Sequence, residues 1–201
     1  MQIIRATGWD SLGQADWEAI RDAFRAGNIL AYATDTIYGL GTKASSRNGL
    51  ERILAIKGRE EGKGMVVLAA DVNMVADYCD LSDRREQAEE LWENPRPTSL
   101  ILPYRGGLAI GIDGGSGGLA VRLPKDSFLR KMIEEVGEPI SSTSANRSGE
   151  APLLSGQEIF DRFSALADRP DLVVDFGPLP NVRPSRILKL WPNGMAEVIR
   201  E

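Results

Sequence analysis

Short apolar runs restrict what this chain can fold into. Ile29 to Ala33, Met65 to Ala70, Ser99 to Pro103 and Leu119 to Pro124 are each five or six residues long, and each stops at a proline or a polar turn. Runs of that length are short for buried helices and suit strands covered on both faces. Helical spacing fills much of the remainder: Trp17, Ile20 and Phe24 before Gly27; Leu50, Ile53 and Leu54; Ala88, Leu91 and Trp92 behind a Ser82 or Asp83 cap; and Phe128, Leu129, Met132, Ile133 and Val136. Residues 2 to 5 read as an opening strand, and Ser155-x-x-Glu158 is a capping box for a helix through Phe163. Leu172 to Val174, Ile187 to Leu190 and Glu197 to Ile199 read as closing strands. This alternation, without internal repeats or a low-complexity linker, predicts one mixed α/β domain over residues 1–201.

With 42% hydrophobic and 26% charged residues, the chain can build an adequate core. No apolar run nears the roughly 18 residues that span a bilayer, and the start MQIIRATGWD lacks the regions of a signal peptide. No membrane role and a cytoplasmic location are expected. The single cysteine, Cys79, cannot form an internal disulfide and reads as a small buried side chain. Histidine is absent, which excludes Ser-His-Asp and Cys-His nucleophilic machinery and removes the commonest transition-metal ligand. Catalysis would rest on lysine, arginine, carboxylates, hydroxyls, backbone amides and a ligand-borne hard cation such as Mg²⁺.

Residues 34–63 concentrate the polar chemistry. Thr34-Asp35-Thr36 breaks a strand with side chains that bond local backbone, and strand ends commonly carry function. On the following helix, Lys57 takes the next position of the Leu50–Ile53–Leu54 stripe, and Gly58 suits the left-handed residue that ends a helix. That places Lys57 in the last turn, at the rim of the core and not deep inside it. There it either answers the helix dipole or serves a ligand. In the second case Lys57→Met is expected to keep stability and lose activity. The stretch holds six cations (Lys43, Arg47, Arg52, Lys57, Arg59, Lys63) against four acids (Asp35, Glu51, Glu60, Glu61), net +2 in a chain of net −5. A local positive field on an acidic protein points to a small anionic ligand in preference to broad nucleic-acid backbone contact.

Arg122, among apolar strand neighbours, needs a partner, either a carboxylate of the protein or one of a substrate. Residues 141–148, SSTSANRS, carry five hydroxyls and an amide, more than a turn needs for capping, and suit a phosphate or ribose. Residues 105–118 contain seven of the 21 glycines and read equally as a slack loop or as a flap over a ligand. Two motifs are set aside. Gly39-Leu-Gly41-Thr-Lys-Ala44 fits a dinucleotide pattern, but TDTIY separates it from its strand; Gly58-Arg-Glu-Glu-Gly62-Lys63 is one residue short of a P-loop.

Taken in order, TDTIYGLG, IKGR with a lysine four residues on, AVRLP and STSANRSG resemble the YrdC-like family of L-threonylcarbamoyladenylate synthases, in its short single-domain TsaC type. The resemblance covers nearly the whole chain. It implies a twisted mixed β-sheet with flanking helices and a concave basic cleft. It also implies a nucleotidyltransferase that converts L-threonine, bicarbonate and ATP, with Mg²⁺, to threonylcarbamoyl-AMP and pyrophosphate. The product would pass to proteins that transfer the threonylcarbamoyl group to tRNA adenosine, with at most weak direct tRNA binding by this chain. By similarity Lys57 and Arg59 are catalytic, and Lys57, Arg59, Lys63, Thr143, Ser144, Asn146 and Arg200 hold ATP. Thr34, Thr36, Tyr38, Arg122 and Ser185 line the threonine pocket. Gly118, Leu68 and Lys189 depart from the family pattern. A rival reading from another class is a non-catalytic RNA-binding or maturation module using the same cleft. A pI near 5.0 and the lack of an interleaved aromatic and basic stripe weigh against it.

Overall fold

The computed structural model describes residues 1–58, 62, 64–180, 183–191 and 193–201. In chain order its elements are β1 (Gln2–Arg5), α1 (Gln14–Arg25), β2 (Leu30–Ala33), β3 (Tyr38–Gly41), α2 (Arg47–Lys57), β4 (Val66–Leu68), α3 (Val72–Tyr78), α4 (Arg85–Glu93), β5 (Thr98–Pro103), β6 (Gly118–Arg122), α5 (Ser127–Val136), β7 (Ile140–Ser144), α6 (Gly156–Phe163), β8 (Leu172–Asp175), β9 (Arg186–Leu190) and β10 (Ala196–Arg200). Several helices start where a short polar side chain can take an orphan amide. Ser46, Asp71, Asp126 and Ser155 each accept from the backbone N–H three residues on. Glu158 returns a bond to Leu154 N at 2.8 Å. The helix expected behind a Ser82 or Asp83 cap instead begins after a 3₁₀ turn at Ser82–Arg84, and no side chain caps it.

The strands form one ten-stranded mixed sheet in the order β1-β8-β2-β3-β7-β4-β6-β5-β9-β10. Alternate residues enter different apolar layers: Leu30, Tyr32 and Val174 join Phe24 of α1 and Leu129 and Ile133 of α5, while Ala31, Ala33 and Val173 join Ile53 of α2 and Phe163 of α6. Helices on both faces explain why the strands read as unbroken apolar runs. Leu68 belongs to the α1/α5 layer and also lines an open cleft, so that face is only partly roofed.

The structure adds to the sequence reading or corrects it at four places. YGLG is a strand, β3, hairpin-paired with β2 and antiparallel to β7. Two glycines hide it from propensity, yet a Cβ at Gly41 would lie 2.1 Å from Ser141 O, so glycine is what lets these backbones approach. DVNMVADY, given no element from sequence, contains α3. Phe128, assigned to the core, is 43% exposed. The glycine-rich segment is pinned and not slack: Ala109 N bonds Ala44 O, Met65 N bonds Ile112 O, and Asp113 accepts from Gly115 N and Gly117 N.

Cys79 is fully buried, and burial pushes its thiol up to about 12. At pH 8 its thiolate fraction is on the order of 10⁻⁴, so the native protein is expected to resist iodoacetamide and to alkylate only when unfolded. Stoichiometric native labelling, read by mass spectrometry, would contradict this packing.

Candidate active site

The site begins where β2 ends. Thr34 Oγ1 donates to Ile37 O at 2.8 Å and accepts from Thr36 N at 3.1 Å, closing a turn that joins β2 to β3. The turn presents Asp35 and Thr36 to β6. Arg122 Nη1 donates to Thr36 Oγ1 and Nη2 to Asp35 Oδ1, both at 3.0 Å, and Asp35 Oδ2 accepts from Lys125 N at 3.2 Å. The ion-paired side chains are 6% and 11% exposed. The protein therefore supplies a carboxylate partner, which is one of the two options left open by the sequence. Asp35 does not saturate the fork: Arg122 Nε is buried and has no hydrogen-bond partner among the described residues. Burial lowers the Arg122 pKa, and the charge of Asp35 opposes that shift.

A second guanidinium comes from the far edge of the sheet. The β9–β10 register slips between Val198 and Arg200, so Arg200 pairs with Ile187, a cleft residue; unbroken pairing would have set it against Arg186. Arg200 Nη2 donates to Ser185 O at 2.7 Å, and Ser185 Oγ shares a 2.9 Å hydrogen bond with Ser99 Oγ. Desolvation lowers the Arg200 pKa, and the like charge of Arg122 lowers it further. Two arginines thus feel one another at one cleft, an arrangement that favours an anion between them.

The third part joins α2 to β7. Lys57 is 4% exposed, so the last turn of α2 carries it into the interior and not to the rim. Its Nζ donates to Ser144 O at 2.7 Å and to Asn146 O and Asn146 Oδ1 at 3.0 Å each. An ammonium has three N–H donors, and each finds an acceptor here. Ser144 Oγ donates to Asn146 Oδ1 at 2.6 Å, and Asn146 Nδ2 donates to Glu150 O at 2.5 Å. Lys57 is therefore bonded to Ser144 and Asn146 of the distant S-x-N segment.

Thr34, Thr36, Arg122, Thr143, Ser144, Ser185 and Arg200 all line one cleft of about 320 Å³. Lys57 and Asn146 brace its wall from behind. Tyr38 is not brought to it: its side chain is fully buried and its hydroxyl donates to Gly177 O at 2.8 Å. Burial pushes the Tyr38 phenol up to about 12. Arg59 and Lys63 lie outside the described residues. Leu68 is in the cleft wall, whereas Lys189 sits 3.9 Å over the Trp191 ring. Sequence reasoning passed over Asp35 as a site residue, and an acid between two threonines at a strand end was the available signal. A larger hollow of about 440 Å³ lies between α2 and the glycine-rich segment, against Leu50, Leu54 and Ile110. It contains none of the buried polar groups described above, so the smaller cleft is the candidate site.

A half-roofed mixed sheet with two arginines, a hydroxyl turn and a braced Ser–Asn turn on its open face defines an α/β protein whose cleft chemistry suits a small anionic ligand. The Sua5/YciO/YrdC family model, described as telomere recombination, matches residues 22–201, and the chain belongs to this family. It is 32% identical to a threonylcarbamoyl-AMP synthase of Idiomarina loihiensis over 176 residues, covering 86% of this chain and 91% of that one. It is 34% identical to the mouse threonylcarbamoyl-AMP synthase over 165 residues, 81% of this chain but 57% of the mouse protein. Among solved structures, P. abyssi Sua5 complexed with L-threonine superposes with a TM-score of 0.80 at 25% identity, covering 95% of this chain and 55% of that one. The chain thus spans about half the length of the mouse protein and of P. abyssi Sua5. E. coli YciO, at 22% identity and a TM-score of 0.77 over 100% of this chain and 96% of that one, shares the fold.

Proposed function

We propose that residues 1–201 act as one catalytic domain, a cytoplasmic L-threonylcarbamoyladenylate synthase of the nucleotidyltransferase type. Threonine and bicarbonate condense to a carbamate with loss of water. A carbamate oxygen then attacks the α-phosphorus of ATP, the P–O bond to the β-phosphate breaks, and pyrophosphate leaves with the displaced electron pair. The observation that carries this reading is Arg122, buried at the cleft wall with Asp35 and Thr36 on its Nη atoms and Nε unpartnered. Asp35 and Thr36 take two of the five guanidinium N–H donors, and the rest suit the threonine carboxylate, with Thr34, Thr36 and Ser185 as neighbouring polar groups.

The carbamate is already an anion, so attack needs positioning and charge stabilisation and no histidine base. Thr143, Ser144 and Asn146 hold the nucleotide, Arg200 faces it from the other edge, and Arg59 and Lys63 follow Lys57 as cations for the triphosphate. Lys57 acts from behind Ser144 and Asn146, setting the turn and lending its field. Mg²⁺ enters on the ATP phosphates as part of the substrate. Asp35 is engaged by Arg122 and Lys125, and no cluster of His, Cys, Asp and Glu that could hold a metal ion occurs among the described residues. No helix of the described residues is long and apolar enough to cross a membrane. The adenylate would pass to proteins that transfer threonylcarbamoyl to tRNA, with little tRNA contact by this chain.

With ATP, Mg²⁺, bicarbonate and threonine but no tRNA, pyrophosphate and threonylcarbamoyl-AMP are expected, detected by coupled assay and mass spectrometry. Release that appears only on adding tRNA would favour the RNA-module reading over this one.

A further inference from the structure

We infer that the nucleotide-free cleft takes threonine with its amino group neutral: Arg122 and Arg200 together drive the ammonium proton into solvent and stand in for the general base that a chain without histidine lacks. This rests on the synthase reading above. Only the free amine can attack bicarbonate, since an ammonium has no lone pair. The C–N bond then forms, one amine hydrogen leaves with the bicarbonate hydroxyl as water, and the carbamate remains.

The described residues that line the cleft include two arginines and no carboxylate. The guanidiniums are close enough for the charge of Arg122 to lower the Arg200 pKa, and Lys57 adds a cation behind Ser144. Lining residues from β3, β4, β7 and β9 carry no charge. Asp35 sits behind Arg122 and outside the lining, with its two oxygens engaged by Arg122 Nη2 and Lys125 N. The hydroxyls of the turn have little left for an ammonium. Thr34 Oγ1 donates to Ile37 O and already meets Thr36 N, Ile37 N and Thr36 Oγ1, while Thr36 Oγ1 accepts from Arg122.

Threonine's amine and carboxylate share one carbon, so pairing the carboxylate with Arg122 sets the amine beside the same guanidinium in every rotamer. In water the carboxylate stabilises its own ammonium. In the cleft Arg122 neutralises that carboxylate and leaves the ammonium facing cations, which favours the neutral form. A lysine amine set beside another cation is activated in the same way.

Calorimetry of the nucleotide-free protein with L-threonine, in carbonate-free buffers of different ionisation enthalpy, counts the proton. The control ligand, (R)-3-hydroxybutyrate, keeps the carboxylate and hydroxyl and lacks the amine. At pH 7.5 threonine is expected to release about one proton, with affinity falling by up to about tenfold for each pH unit of acidification, the sign for a group whose pKa is depressed on binding. Hydroxybutyrate should release none and bind independently of pH. Arg200→Gln, which can keep a hydrogen bond to Ser185 O, should cut the release below about half a proton while hydroxybutyrate affinity stays within about threefold and the melting temperature holds. No proton release with an affinity flat in pH means that the zwitterion binds and overturns the inference, as does equal release with hydroxybutyrate or full release by Arg200→Gln. In each of those cases threonine-dependent pyrophosphate release from ATP leaves the synthase reading standing. A protein that binds threonine at no pH and forms no pyrophosphate loses both.

Discussion

Lys57→Met is expected to melt lower and to lose activity together. The sequence pattern alone suggested that a flexible apolar chain would fill the slot without cost. The structure reverses this, because removing Nζ deprives Ser144 O, Asn146 O and Asn146 Oδ1 of their shared donor in a buried setting. Ser144 O keeps its bond from Asn146 N and Asn146 Oδ1 keeps its bond from Ser144 Oγ, so Asn146 O is the acceptor left without a donor among the described residues, at a cost of about 1–3 kcal/mol. For a domain of this size that lowers Tm by about 2–12 °C. Turnover should fall by about 10²- to 10³-fold as the Ser–Asn turn loses its brace and the site its charge, by analogy with removing an oxyanion donor. A lysine that only answers its helix dipole would cost about 0.3–1 kcal/mol and leave turnover intact. Melting curves and pyrophosphate release on one preparation separate the two, and a nearly unshifted Tm with normal release would remove Lys57 from the site.

Arg122→Lys is expected to weaken threonine about a hundredfold while ATP binding stays within about threefold. A guanidinium reaches Thr36, Asp35 and a carboxylate at once because its donors lie in one rigid plane, whereas an ammonium is a single point that must choose. The choice would fall on Asp35, 11% exposed and otherwise left without its charge partner. Titration of each ligand against the variant measures the split. Equal losses for threonine and ATP would mean that Arg122 serves the general field or the fold.

Much of this architecture is readable along the chain. The α2 stripe, its Ser46 cap and its Gly58 stop are local features, and so are the apolar strand runs, whose period reflects helices on both faces. Where local chemistry misleads, a neighbour explains it. Gly39 and Gly41 weaken the reading of a strand, but β3 needs a glycine at 41 because β7 passes so close. Tyr38 sits beside the threonine turn in sequence, yet strand alternation buries it and its hydroxyl donates a hydrogen bond to Gly177 O.

The sequence by itself determined the mixed α/β class, the helix that carries Lys57, the turn that carries Thr34 and Thr36, and a family resemblance that the comparisons support. Only the tertiary structure decided that Lys57 is enclosed by atoms 87 and 89 residues away, that Arg122 shares itself between Asp35 and a free Nε, and that a bulge in β10 turns Arg200 toward the cleft. The physical reason is that periodicity and capping are set by residues three or four apart. Which donors meet which acceptors depends on sheet order and register, and a slip of one residue exchanges the faces.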